Sequence, residues 1–220
     1  MKETLRFLND LKDNNNREWF DANKKRYQQL HEQFKQFAAK LILGINEFDD
    51  FVGHIDPKDC IFRIYRDIRF SPNKAPYKTN FGVYMARGGR KSIYAGYYFH
   101  IEPGESFLSG GIYMAAPEVM KRIREDIELY AGDFLAIVGS KEFTGAFQYF
   151  EDERLKRVPQ GFDRNSPVAE YLKLKHITPF HAMSDNDLLS DHLLDAALAH
   201  YRILKPLNDF LNRSVRGLKA

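Results

Sequence analysis

Phe20, Tyr27, Phe34, Leu41 and Phe48 recur every seven residues, with Leu30 and Phe37 between them. Seven residues make two helical turns, so these side chains form a stripe along one helix face. A helix with such a stripe must bury it. The stripe is aromatic rather than Leu/Ile, which favours packing on the protein's own sheet over a coiled-coil partner. Asn15 followed three residues later by Glu18 matches a capping box and places the start of this long helix. Trp19, in its first turn, is expected to anchor it to the core. Ahead of it, Thr4 caps a short helix that turns Leu5, Leu8 and Leu11 inward and breaks at Asn14-Asn15-Asn16.

Beyond the loop from Asp49 to Pro57 the period changes to two. Cys60 to Arg66 alternates, with Phe62 and Ile64 on one face and Arg63 and Tyr65 on the other. Phe81–Ala86, Ile93–Ile101 and Ser106–Met114 read as further strands, separated by Arg87-Gly88-Gly89-Arg90 and by Pro103-Gly104. Such short connections imply antiparallel pairing. Pro117 opens a helix that carries Val119, Met120, Ile123, Ile127 and Tyr130. Val168–Leu174 reads as a short helix and His176–Met183 as an extended piece. From Ser184 or Asp185 a final helical region runs through Leu211, and Pro206 is expected to kink or divide it. There is no internal repeat and no low-complexity linker. The expectation is one α+β domain over residues 1–220, an antiparallel central sheet packed by the long N-terminal helix and the C-terminal helices.

The chain has 18 Phe and 12 Tyr, enough ring area for a thick core without metal or disulfide. Cys60 is the single cysteine, so it is expected to be a small buried apolar residue. The first residues lack the apolar run of a signal peptide, and no window approaches the ~20 apolar residues of a membrane span. A soluble, cytoplasmic protein is the expectation, with no cofactor and no metal.

Charge is nearly balanced at +3 over the whole chain, too little to mark a nucleic-acid binder. One window departs from that balance. Phe62 to Thr79, FRIYRDIRFSPNKAPYKT, holds Arg63, Arg66, Arg69, Lys74 and Lys78 against one carboxylate, Asp67. Arginine presents a planar fork of donors that suits carboxylate or phosphate. One carboxylate accepts one fork well, so the other forks need protein acceptors, water or an anion. The expected arrangement has at least two of the three arginines pointing into one cavity, with Tyr77 or Lys78 on its rim. Arg63, lying within a strand, is the best candidate for burial. Asp67 would orient a guanidinium or act as a base. The structural alternative is an ion-pair network in which Asp67 bridges Arg66 or Arg69. Lys78-Thr79 is not the end of a phosphate loop, because the glycines that would precede it are absent.

Three further features bear on a site. Gly110-Gly111 interrupts a strand pattern, which marks a bulge or the close approach of a ligand or another backbone. If the basic loop packs above this strand, Tyr113 and Ser109 would share its face with the anion. His100 shares a strand face with Tyr94 and Tyr98, a set capable of acid–base work, although a hydrogen-bonded surface histidine is the favoured reading. His176 and His181, with Asp185 and Asp187 nearby, fit no established metal spacing. The chain contains no nucleophile elbow, no HExxH and no dinucleotide fingerprint.

The order of Asn14-Asn15 with Trp19-Phe20, then FRIYRDIRFSPNKAPYKT, then Gly110-Gly111-Ile112-Tyr113, then Lys156-Arg157-Val158-Pro159-Gln160-Gly161-Phe162-Asp163 resembles a widespread bacterial family of conserved hypothetical proteins, domain of unknown function 2461. The resemblance covers nearly the whole chain. It departs from the pattern at Gln160, where a lysine is expected. It implies one domain and carries no activity, substrate or cofactor. The residues therefore leave two functional readings open. One is a small phosphate- or carboxylate-bearing ligand held by Arg63, Arg66, Arg69, Lys74, Tyr77, Lys78, Gly110, Gly111 and Tyr113, with Asp67 and His100 as candidate catalytic groups. The other is a nucleic-acid or protein interaction module, in which the same cations contact phosphates and Tyr77, Tyr94 and Tyr98 stack on bases.

Overall fold

The computed structural model describes residues 1–218. Its centre is a four-stranded antiparallel sheet in the order β1-β2-β3-β4, formed by β1 (Phe81–Met85), β2 (Gly96–Ile101), β3 (Ser106–Gly111) and β4 (Phe180–Met183). Strand order follows chain order, as short hairpin connections require. By its internal contacts the chain falls into two compact units. One comprises Met1–Arg90, Tyr98–Leu108 and Ala182–Leu198; the other comprises Lys91–Tyr97, Ser109–His181 and the chain from Ala199 onward.

In the first unit, α1 (Lys2–Asp13) buries Phe7, Leu8 and Leu11. The aromatic stripe from Phe20 to Leu41 is divided between two helices, α2 (Arg17–Ala22) and α3 (Lys24–Asn46), rather than carried by one, and Phe48 lies in the turn after α3. The division falls at Asn23, whose amide donates to the Trp19 carbonyl at 2.9 Å while its backbone leaves helical dihedrals. This is local competition by a short amide side chain. The cap of α2 also differs from expectation: Asn16, not Asn15, accepts from the Trp19 N–H at 2.9 Å. Trp19 packs against Phe7, with ring centroids 5.7 Å apart.

The stripe then meets the sheet. Phe34 lies 5.5 Å from Phe81 on β1, and Phe37 lies 5.2 Å edge-on to Phe99 on β2. Gly44 lets α3 touch Leu198, because a Cβ there would run into the leucine's methyl groups. After a four-residue helix, α4 (Pro57–Cys60), the chain makes isolated bridges, Ile61 to Val83 and Tyr65 to Tyr77. The strand expected over Cys60–Arg66 is therefore absent: Cys60 closes a helix, and two isolated bridges take the place of a ladder. Cys60 itself is fully buried, and burial pushes its thiol up to about 12.

In the second unit, α5 (Pro117–Leu129), with proline in its first turn, is followed by α6 (Ala131–Val138), α7 (Lys141–Ala146) and α8 (Ala169–Leu172). Arg124 of α5 donates to the Leu172 and Leu174 carbonyls, both at 2.9 Å, and so ties α5 to the end of α8. Two helices follow β4. In the first unit, α9 (Asp185–Leu188) begins at a Ser184–Asp187 capping box. The last, α10 (Leu193–Val215), continues through Pro206 undivided. In the second unit its Asn208 donates to the Gly96 carbonyl at 3.1 Å, and Asn212 accepts from the Ala95 N–H at 2.8 Å. Tyr201 meets Tyr97 with ring centroids 5.0 Å apart.

Phe34 is only 2% exposed. Phe34→Ala should lower stability by about 3–5 kcal/mol, read from a denaturant melt. A loss under about 1 kcal/mol, the range of surface changes, would contradict this account of α3.

Candidate functional site

The basic segment has almost no regular structure, so side chains from elsewhere fix its course. Asn15, released from capping, grips the Tyr77 backbone on both sides. Its amide donates to the Tyr77 carbonyl at 3.0 Å, and its carbonyl oxygen accepts from the Tyr77 N–H at 3.1 Å. The Tyr77 ring stacks on Phe20 with centroids 3.9 Å apart and a 15° interplanar angle. Tyr77 is therefore a buried anchor, not a rim residue. Two backbone bonds close the hairpin-like turn, Arg66 N–H to Pro76 and Lys78 N–H to Ile64.

Within this frame the five cations divide. Arg66, half-buried, donates to the Ala75 carbonyl at 3.2 Å and to Ser71 Oγ at 3.4 Å, so it braces the loop from inside. Arg69 is exposed and forms a two-pronged pair with Asp67, through Nε at 2.9 Å and Nη2 at 2.7 Å. That fork holds the Asp67 carboxyl below its ordinary range. Lys74 donates to the Ile68 carbonyl at 3.2 Å. Three cations and the single carboxylate are thus engaged locally.

Arg63 and Lys78 are different. Arg63 is exposed, contrary to its expected burial, because segment 61–66 is not a strand and turns this side chain outward. Its guanidinium has no hydrogen bond or ion pair with a described residue, and neither has the Lys78 ammonium. Lys78 is half-buried, with Nζ 5.3 Å from the centre of the Phe62 ring. Burial first, and the Arg63 charge second, pull its pKa below the ordinary amine range.

Linked to this pair through Phe62 and Thr79 is a polar chain that runs along β2 to Glu102, just past its end. Period two sets Tyr98, His100 and Glu102 on the face opposite Phe99 and Ile101. Tyr98 Oη is 2.9 Å from His100 Nδ1, and His100 Nε2 is 3.1 Å from Glu102 Oε2. Thr79 Oγ1 donates to Glu102 Oε1 at 2.6 Å. His100 is buried at 9% exposure and stacks on Phe107, so it is not the surface histidine that one reading expected. Tyr94 precedes β2 and does not share that strand face. The Tyr98 ring meets Phe62 edge-on at 6.1 Å. Its hydroxyl crosses β1 over Gly82, where a Cβ would approach it to 2.5 Å. Thr79, Gly82 and Glu102 were missed from sequence. The available signals were a glycine inside a strand pattern and the 98/100/102 spacing.

Gly110, Gly111 and Tyr113 belong to the second unit. A Cβ on Gly110 would stand 2.9 Å from the Gly96 carbonyl oxygen and 2.9 Å from a Leu204 methyl. Gly111 has φ +100°, and a Cβ there would run into the Ile177 carbonyl. Close approach by the protein's own backbone accounts for both glycines. Tyr113 is exposed, with its ring 4.5 Å from His176. His176 Nδ1 accepts from the Met114 N–H at 3.1 Å, and Met114 has φ +50°. Ser109 Oγ donates to the Pro179 carbonyl at 2.8 Å.

The family of conserved hypothetical proteins DUF2461 matches residues 3–210. The chain belongs to this family. Neither the curated proteins nor the solved structures gave a match.

The hydrogen bond from His100 leads the causes that lower the Glu102 carboxyl; the Thr79 bond and the Lys12 charge add to it, while burial opposes them. A depressed carboxyl contributes stability above its unfolded-state value, near 4.5, and loses it as pH falls through the lower folded value. Urea melts from pH 7 toward acid should therefore show a shallower acid loss for Glu102→Gln than for the wild type. Superimposable pH profiles would contradict this.

Proposed function

We propose that Arg63 and Lys78 bind a small anion, a phosphate or carboxylate group carried on a larger ligand. One observation carries the reading. Of the five cations in segment 62–79, these two are the ones without an acceptor among the described residues, and one of them is half-buried. A partly desolvated ammonium beside a like charge is unfavourable, and a bound anion relieves both effects. The guanidinium supplies a fork for two oxygens and the ammonium a point charge. Arg66, Arg69 and Lys74 hold the loop that presents them, with Asp67 fixing Arg69. Phe62 provides an apolar wall, so an anion attached to a ring or apolar body suits the site best.

A second reading has its own support. Phe70 is 94% exposed with the Arg69 guanidinium 5.9 Å from its ring centre, and Tyr65 is also exposed. Exposed rings among cations suit a single strand of nucleic acid, with bases on the rings and phosphates on Arg63, Arg69 and Lys74.

Sulfate should raise the melting temperature of the wild type in a saturable way, measured against chloride at matched ionic strength. Lys78→Met, which keeps the stem on Phe62, should abolish the rise without lowering the basal melting temperature. Arg63→Ala should weaken it, and Arg69→Ala should leave it. Equal responses from the wild type and Lys78→Met would contradict the anion site. A labelled single strand that binds and is released steeply by salt would instead select the nucleic-acid reading.

A further inference from the structure

Anion binding alone gives no role to the hydrogen-bond chain from Tyr98 to Glu102. Both of its ends abut residues next to the anion site. Tyr98 lies against Phe62, whose ring carries the Lys78 ammonium, and Glu102 is bonded to Thr79, the residue after Lys78. Glu102 is held below the ordinary carboxyl range, so near neutral pH it is an acceptor only. Its partner, His100 Nε2, therefore carries a hydrogen. In the neutral ring Nδ1 is then the acceptor, and the Tyr98 hydroxyl donates to it.

Protonation of the ring reverses that bond. Nδ1–H becomes the donor, Tyr98 Oη becomes the acceptor, and the phenolic hydrogen turns to another acceptor. We propose that the Tyr98–His100–Glu102 relay couples anion binding at Arg63 and Lys78 to the uptake of one proton at His100 Nδ1. The inference rests on the anion reading above. The proton comes from solvent, and no bond other than this N–H forms. The uptake adds one positive charge to the His100 ring, and that charge favours the anion. Histidine is the side chain suited to such a change between pH 5 and 8. Several described groups bear on the ring. They include Tyr98 of β2, Glu102 just past its end, the Phe107 ring of β3, and Lys12 of α1, which acts on Glu102.

Calorimetric titration with sulfate, doubly charged throughout, tests this between pH 8 and about pH 5.5, the lower part of the range in which histidine changes charge. Two buffers of different ionisation enthalpy count the protons taken up. Wild-type affinity should rise several-fold on acidification, with log Kd changing by at most about one per pH unit. His100→Gln should still bind sulfate, at an affinity that does not vary with pH in this window. Tyr98→Phe should retain only part of the rise. Titration of Lys78 itself would give a pH dependence that survives His100→Gln, so that variant separates the two. A wild-type affinity flat with pH, or the same slope in His100→Gln, overturns the relay and leaves the anion site standing. No sulfate binding at any pH overturns both. Should His100→Gln not fold, NMR titration of the wild-type His100 ring decides: sulfate must shift its midpoint to higher pH, and an unmoved midpoint overturns the proposal.

Discussion

One side-chain amide sets the course of the segment around which the first unit's polar chemistry is gathered. Asn15 bonds both backbone groups of Tyr77. It satisfies a donor and an acceptor that an irregular segment would otherwise leave to water, while Phe20 covers the Tyr77 ring. Residues 61–79 contribute no strand, so their position depends on this clamp and on two isolated bridges. Asn16 takes over the helix cap, which frees Asn15 for the tertiary role. The next two residues, Lys78 and Thr79, are thereby delivered to Phe62 and to Glu102.

The same segment shows how a cluster of like charges is tolerated. Asp67 engages Arg69, and backbone carbonyls in the loop engage Arg66 and Lys74. Each of those cations has a local acceptor, and together they brace the loop. The charge left over is concentrated at Arg63 and Lys78, where burial and mutual repulsion act in the same direction on the ammonium. One ion pair and a set of hydrogen bonds within the loop account for three of the five cations and give no reason for the other two.

Much of this was legible in the sequence. Seven-residue aromatic spacing located the α2–α3 face, and the turn glycines and prolines separated strands that pair as expected. The proline at the start of α5 and the serine at the start of α9 marked those helices. What escaped was what depends on partners distant in the chain. Alternation in Cys60–Arg66 looks like a strand, but the segment makes isolated bridges, Ile61 to Val83 and Tyr65 to Tyr77, and Tyr77 is held by Asn15 and Phe20. Arg63 looked buried because a strand was assumed around it. Gly110 and Gly111 were read as a bulge or the close approach of a ligand or another backbone, and the Gly96 and Ile177 carbonyls, with Leu204, show what crowds them. In the relay, His100 and Tyr98 were visible as one strand face. Glu102 and Thr79, 23 residues apart, close it through a contact that no local pattern encodes.

The central claim is that Arg63 and Lys78, and not the other cations of the segment, receive an anion. Side-chain NMR observes each group separately. In a sulfate titration of the full-length protein, the Arg63 Nε–H and Lys78 Nζ resonances should shift together along one saturable curve, while those of Arg66 and Arg69 stay in place. Shifts confined to Arg66 and Arg69, or small unsaturable drifts shared by all the arginines and lysines, would contradict the account.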